Sequence, residues 1–352
     1  MINIDGSYGE GGGQILRNSV ALSVLFNEEV QIKNIRANRP NPGIKPQHYT
    51  AIDIIKNISD AKTVGLKIGS SNLSFSHVEI KDGSYEFDIG TAGSIVLVFQ
   101  ACILSFLKTK KIINIKLKGG TDVKWSPSWD YFENVFLRLL RLMGISVKSK
   151  LISRGYYPKG GGEAILTIEP SNIIRPLNID ENQEFREIYG IINIANLPTH
   201  IAARMKHASI KKIIENNLNA SIKIDATTSF SAGTGITLWS RSKDTILGKT
   251  KLGEKGVSAE TIGEITANSL ITEIRSGASI DTNSIDQILP YMFLASNYEP
   301  SIYLVKDLSG HTMTNIWLLS QFIKNNNIFK ITNKKNLSNI EIHGINYLQN
   351  KT

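Results

Sequence analysis

The chain has 352 residues, a hydrophobic content of 41%, a formal net charge of +9 and one cysteine, Cys102. The length predicts two domains or one domain with an insertion, and the apolar content builds a real core. A lone cysteine excludes an intramolecular disulfide and a cysteine metal cluster, and suits a reducing, cytoplasmic setting; the basic balance suits a phosphate-rich partner such as RNA or a nucleotide, and suits simple solubility equally well.

Residues 2–4 read as a strand. A turn follows, Asp5-Gly6 to Gly11-Gly12-Gly13, and then a helix over 14–25. Strand, Gly-rich loop and helix start together make an anion cradle, since amides without a neighbouring Cβ approach phosphate oxygens closely. No Gly-Lys-Ser/Thr closes the loop, so it is not a Walker A motif, and a flexible hairpin explains the glycines as well. Its polar residues say more. Glu10 is a carboxylate able to hold a divalent cation beside a phosphate, while Gln14 and Arg17 share one helix face.

A strand over 30–36 ends in Arg36, and a Pro-stiffened loop then carries Arg39, Lys45, Gln47 and His48 before a helix over 49–58. Such a rigid, donor-rich loop suits a phosphate backbone; an ordinary solvated loop is the alternative. Strands are expected at 64–68, 72–80 and 85–89. Gly90-Thr91-Ala92-Gly93-Ser94 then opens an apolar helix reaching about Leu107, with Gln100 as its lone polar residue. This repeats the earlier order and suggests a tandem βα unit. Cys102 lies in this helix and reads as a core residue. The segment is too short to cross a bilayer, which takes about 20 apolar residues, and no signal peptide is visible.

A strand over 112–117, a Gly-rich turn with Trp125, Pro127 and Trp129, and a helix over 131–143 come next; the aromatic loop covers a base or plugs a core end. Strands at 147–153 and 164–168 flank the glycine-dense turn 154–163. Residues 169–182 read as a polar linker. From 184 to about 275 the style changes to strands at 187–196, 221–225, 234–240 and 244–249 with helices at 199–216 and 258–274, a βαβ-type insert. A helix over 286–295 and a strand over 301–305 lead to Ser309-Gly310-His311-Thr312, where His311 opens an apolar run. There it faces a phosphate held by helix N-terminal amides, or simply meets solvent. Strands near 328–331 and 338–342 end the chain.

Taken in order, these segments resemble the RNA 3′-terminal phosphate cyclase family nearly end to end. The resemblance rests on Asp5-Gly6 with Gly9-Glu10-Gly11-Gly12-Gly13-Gln14-Ile15-Leu16-Arg17, on Arg36-Ala37-Asn38-Arg39 with Pro42-Gly43 and Gln47-His48, and on Gly90-Thr91-Ala92-Gly93-Ser94. It continues through Lys118-Gly119-Gly120-Thr121, Arg154-Gly155-Tyr156-Tyr157-Pro158-Lys159-Gly160-Gly161-Gly162, Asp286-Gln287 and His311-Thr312-Met313-Thr314-Asn315. Ala164 departs from it, where the family tends to place a larger aliphatic.

The resemblance implies an α/β fold: a large domain of repeated units, each with two helices on a four-stranded sheet, formed by residues 1–183 and 277–352. A smaller α/β domain, 184–276, is inserted. It also implies an ATP-dependent nucleotidyltransferase that turns an RNA 3′-phosphate into a 2′,3′-cyclic phosphate and releases AMP and diphosphate. His311 is then the nucleophile that takes AMP, since a neutral imidazole, with a reference pKa of about 6.5, attacks phosphorus readily. Glu10 would hold Mg2+ or Mn2+. Arg17, Arg36, Arg39, Gln47 and His48 would clamp RNA and ATP phosphates. Gln100 and the segment Asn283, Ser284, Ile285, Asp286, Gln287 would hold the nucleotide, with Pro127 and Tyr131 stacking on adenine; a helix-cap role is the other reading of Asp286. A homodimer is left open.

Two rivals accompany this expectation. The same fold serves a ribosome-assembly factor that lacks the nucleophilic histidine, whereas His311, Arg17 and Arg39 are all present here. A shikimate-type transferase shares the repeated architecture, but no motif for its three-carbon phosphate ester appears.

Overall fold

The structure, a computed structural model, describes residues 1–181, 183–323, 328–334 and 336–348. Asn182, at the end of the expected linker, and residues 349–352, at the end of the expected large domain, lie outside the described residues.

One pattern of elements recurs. The first unit is β1 (Ile2–Asp5), α1 (Gly13–Phe26), β2 (Val30–Lys33), α2 (Pro46–Ile58), β3 (Lys62–Val64) and β4 (Leu73–Ser76), with sheet order β1-β2-β4-β3. β1 and β2 are parallel and the other pairs antiparallel. The second is β5 (Gly83–Asp88), α3 (Ile95–Ser105), β6 (Ile113–Gly119), a helix in three continuous pieces, β7 (Val147–Ser153) and β8 (Gly162–Ile168), in order β5-β6-β8-β7. The pieces are α4 (Trp129–Tyr131), a π-helical segment (Phe132–Phe136) and α5 (Leu137–Leu142).

The third unit begins with β9 (Asn178–Ile179). Between it and its first helix stand β10 (Glu187–Ala195), α6 (His200–Ile214), β11 (Asn219–Thr227), β12 (Gly233–Arg241), β13 (Ile246–Leu252) and α7 (Ala259–Ser276). The unit then resumes with α8 (Ser284–Leu294), β14 (Ser301–Val305), α9 (Gly310–Phe322), β15 (Phe329–Lys334) and β16 (Leu337–Ile342), in order β15-β16-β14-β9. All three units therefore carry two helices on a four-stranded mixed sheet.

Sequence dictates the layering. In β6 burial alternates: Ile113, Ile115 and Leu117 are buried, while Lys116 and Lys118 point outward to Glu86, Glu163 and Asp88. One face of the sheet thus meets the helices and the other water. α3 is apolar nearly all round because it lies between neighbours, touching both α1 and α2. Its start is fixed by Ser94, whose Oγ accepts the Leu97 N–H at 3.2 Å. Cys102 is fully buried and its thiol pKa is pushed up by burial. The helices form one continuous apolar cluster that includes Phe99, Phe132, Phe136 and Phe293. Each such side chain contributes about 1.5–3 kcal/mol when removed from water.

The β10–β13 sheet, in order β11-β10-β12-β13, has its own apolar cluster with α6 and α7, built on Ile188, Ile192, Met205, Ile236 and Ile262. Its other face meets the second unit through apolar contacts, such as Trp239 and Ile246 in the main cluster, and through polar groups. Ser128 Oγ lies 2.9 Å from both Thr237 Oγ1 and Thr250 Oγ1. Buried Arg154 binds Asp122 (3.1 Å), Asp130 (2.9 Å) and Asp225 (2.7 Å). Asn193 Nδ2 donates to both Asp122 and Asp130.

Several boundaries differ from the sequence reading: the strands expected at 64–68 and 72–80 are Lys62–Val64 and Leu73–Ser76, and three further differences have a local cause. The second strand stops at Lys33, because Asn34 (φ 54°) and Arg36 (φ 55°) turn the backbone left-handed. The next helix starts at Pro46, which is well suited to a first helical turn, so Gln47 and His48 are helical rather than in a loop. The stretch read as a linker contains β9, too short to show a pattern, which pairs in parallel with β14.

Candidate active site

The turn after β1 is gripped from two sides. Tyr8 stacks on Trp317 of α9 with ring centroids 3.8 Å apart and planes 11° from parallel. Asn38 Nδ2 donates to Ser7 O at 3.1 Å, tying the turn to the loop before α2. Glu10 is thereby aimed at α9: its Oε2 lies 3.1 Å from His311 Nε2 and 3.7 Å from Arg39 Nη2. All three side chains stay partly open, at 39% exposure for Glu10 and Arg39 and 43% for His311. Gly310 makes this approach feasible, since a Cβ there would stand 2.5 Å from Glu10 Oε1.

His311 is the second residue of α9. Ser309 caps the helix by accepting the Thr312 N–H at 3.1 Å. The N–H groups of Gly310 and His311 have no protein acceptor among the described residues, as expected at a helix start. The positive end of the helix therefore opens beside the imidazole.

Behind this turn two arginines stand close to a neutral histidine. Arg17 is buried on α1 with no ion pair or hydrogen bond among the described residues, and burial pushes its pKa down to about 10. His48 packs against Gly13, where a Cβ would come within 2.1 Å of its Nε2. Its Nδ1 accepts the Lys45 N–H at 3.3 Å, so the ring proton sits on Nε2. Burial, then the charges of Arg17, Arg36 and Lys45, push the His48 pKa down to about 3. Arg36 Nη1 donates to Asn41 O at 2.7 Å and Gly43 O at 3.2 Å, and its pKa is lowered by burial and by Arg39. Gln47 Oε1 accepts the Ser94 N–H at 3.0 Å, joining the first two units.

On the other side stands the start of α8. Burial, then Asp281 and Glu10, raise Asp286 to about 7, and its Oδ1 is buried without a hydrogen-bond partner among the described residues. The Asp286 carbonyl accepts Asn315 Nδ2 at 2.6 Å, and Asn315 Oδ1 accepts Asn18 Nδ2 at 2.9 Å. Gln100 Nε2 donates to Gln287 Oε1 at 2.6 Å, and Gln287 Nε2 to Asn283 O at 2.6 Å. Asn283 Oδ1 accepts Lys249 Nζ at 3.2 Å.

The structure thus joins Glu10, Arg39 and His311, groups Arg17, Arg36 and His48, and pairs Gln100 with Gln287 beside Asn283. Three residues expected at the nucleotide go elsewhere. Ile285 is in the core, and buried Ser284 donates to Asp281 Oδ2 at 2.8 Å. Tyr131 is buried too: its hydroxyl donates to Asp281 Oδ1 at 2.8 Å, and its ring packs against Gly248, which leaves no face open to adenine. Pro127 is half-buried beside the Ser128 cap. Sequence reasoning missed Lys249 and Asn18. Lys249 sits on a strand of the β10–β13 sheet with no local motif; the only signal for Asn18 was its place beside Arg17. Among the described residues no group of three or more His, Cys, Asp or Glu is arranged to hold a metal.

A half-open imidazole at a helix start, a carboxylate beside it and a buried arginine without a counter-ion among the described residues make a candidate phosphate site on an α/β fold. Comparison with known proteins gives the family. The family profile described as RNA 3′-terminal phosphate cyclase matches residues 8–328. A protein of that name from Methanosarcina barkeri is 42% identical over 97% of this chain and 100% of its own length. Those from Pyrococcus furiosus (41%; 92% of this chain, 93% of its own) and Nitrosospira multiformis (39%; 92% of each) are similar. The chain belongs to the RNA 3′-terminal phosphate cyclase family. No helix among the described residues is long and apolar enough to cross a membrane.

Proposed function

We propose that this chain converts an RNA 3′-phosphate into a 2′,3′-cyclic phosphate at the expense of ATP. A ring nitrogen of His311 attacks the α-phosphorus; the bond to the β-phosphate oxygen breaks and diphosphate leaves. An oxygen of the RNA 3′-phosphate then takes the adenylyl group from the imidazole. The 2′-hydroxyl attacks the activated phosphorus, loses its proton and expels AMP. That last step is intramolecular, with the high effective concentration this gives.

The observation that carries the reading is His311 itself, open on one side at the start of α9 and 3.1 Å from Glu10. Arg17 supports it, because a buried guanidinium without a counter-ion among the described residues fits an anion that arrives with the substrate. Arg39 and the free amides of α9 would bear charge that develops on phosphate oxygens. Gln100, Gln287 and Asn283 would hold the nucleoside.

Glu10, with Asp286, whose buried Oδ1 has no hydrogen-bond partner among the described residues and whose pKa Glu10 raises, fits a divalent cation such as Mg2+ or Mn2+ shared with substrate phosphates. Such a cation would neutralise triphosphate charge. The apolar cluster peculiar to β10–β13, α6 and α7 supports treating residues 184–276 as an inserted domain and the rest as the catalytic body.

The test is an assay with an RNA ending in 3′-phosphate, ATP and magnesium or manganese. The expected product is a phosphatase-resistant cyclic end, with AMP and diphosphate, and no conversion of RNA ending in 3′-hydroxyl. An RNA 3′-phosphate left intact would overturn the reading.

A further inference from the structure

The three most exposed aromatic side chains among the described residues, Trp125 (94%), Tyr157 (76%) and Phe230 (66%), lie on three loops joined to one another. Thr121 N–H donates to Gly155 O at 2.8 Å, which ties the Trp125 loop to the Tyr157 loop. Lys159 N–H donates to Ser231 Oγ at 3.1 Å, and Ser229 Oγ to Arg154 O at 2.8 Å, which ties the Tyr157 loop to the Phe230 loop. Phe230 lies over Gly161, where a Cβ would come 2.1 Å from the ring. Beneath them the Arg154 ion pairs fix the seam between the second unit and the β10–β13 sheet. The rings are therefore held on a rigid base while their faces meet water.

A cleft of about 350 Å³ beside Trp125 mixes apolar Val123 and Leu252 with Ser126, Ser128, Lys251 and an ion pair of Lys124 with Glu254 at 3.4 Å. Lys159 and Lys251 have no carboxylate partner among the described residues. Packing contacts link the seam to the helix that carries His48. Gly160 packs on the backbone of Thr91 and Ala92, and Gly93 packs on Gln47, the neighbour of His48.

We propose that this seam binds the single-stranded RNA segment that precedes the reacting 3′ end, with bases stacked on Trp125, Tyr157 and Phe230 and phosphates met by Lys159 and Lys251. The inference rests on the reading that the substrate is an RNA end. Isolated rings separated by glycine, serine and lysine suit nucleobases, since each base offers a π-face and each linkage a negative charge. A protein partner would instead favour a contiguous apolar patch. The seam makes a nucleoside 3′-phosphate a poorer substrate than a longer strand, because it reaches only the His311 end.

The test measures binding of a short fluorescent single-stranded RNA ending in 3′-phosphate, and its KM in cyclisation. The proteins are wild type and Trp125→Ala, Tyr157→Ala and Phe230→Leu, singly and combined; leucine keeps an apolar contact with Gly161. The expected result is affinity about tenfold weaker per ring removed, with unchanged labelling by ATP and unchanged KM for a nucleoside 3′-phosphate. Wild-type RNA affinity in the combined variant overturns the proposal, as does an equal loss for the nucleoside 3′-phosphate. A wild-type protein that cyclises RNA beside variants with unaltered KM sinks the seam alone. Ring-dependent RNA binding without cyclisation sinks the catalytic reading alone.

Discussion

Glu10 and His311, 301 positions apart in the chain, place a carboxylate oxygen 3.1 Å from an imidazole nitrogen. Two features create the contact: the Tyr8–Trp317 stack, which carries the turn to α9, and Gly310, which leaves room for the carboxylate. Gly310→Ala puts a methyl group where Glu10 now lies while leaving a helix-favouring residue in α9. The expected outcome is adenylylation slower by on the order of 10²-fold, as displaced catalytic groups lose rate, with little change in melting temperature. Rapid-quench labelling and a thermal melt check it.

Arg17 makes a sharper contrast. Arg17→Met removes a buried charge that has no ion pair among the described residues, so the free protein is expected to melt at the same temperature or higher. Inorganic diphosphate should stabilise wild type by about 2.7 kcal/mol at about 100 times its Kd, and the variant much less. Melting curves with and without diphosphate measure both effects; a variant that melts lower and keeps the diphosphate shift contradicts the assignment.

Two buried groups give stability opposite pH slopes. His48 stays neutral when folded down to about 3, whereas the unfolded side chain takes a proton at about 6.5. The unfolded state then binds more protons, so stability is lost as pH falls from about 6.5 towards 3. Asp286 is the reverse: its folded pKa of about 7 stands above the ordinary 3.8, so its contribution is lost as pH rises between them. His48→Gln should flatten the acid limb of a melting-temperature profile, and Asp286→Asn the upper one. Parallel profiles for wild type and both variants would show that neither shift exists.

The Arg154 cluster carries a structural prediction. Arg154→Ala leaves Asp122 and Asp130 buried without their cation, a change that costs about 3–5 kcal/mol. Denaturant unfolding should record a loss of that size, and a variant as stable as wild type would contradict it.

What the sequence showed depended on how local each feature was. Glu10 and Arg17 sit in and just after a glycine-dense turn, and His311 opens an apolar run, so their neighbourhood marked them. The repeated order of strand, glycine turn and helix showed the units. Tyr131 read as a stacking residue because nothing nearby reveals that its hydroxyl binds Asp281, 150 residues away. Lys249 reaches Asn283 only through the packing of the β10–β13 sheet. The two residues of β9 have no periodicity to detect; only their pairing with β14 makes them a strand.

The central claim is that the His311 imidazole carries the adenylyl group. Incubating the protein with ATP labelled at the α-phosphate and a divalent cation tests it most directly. The account predicts label on wild-type protein, labile in acid and stable in alkali, and none on His311→Ala. Equal labelling of the His311→Ala protein would contradict it.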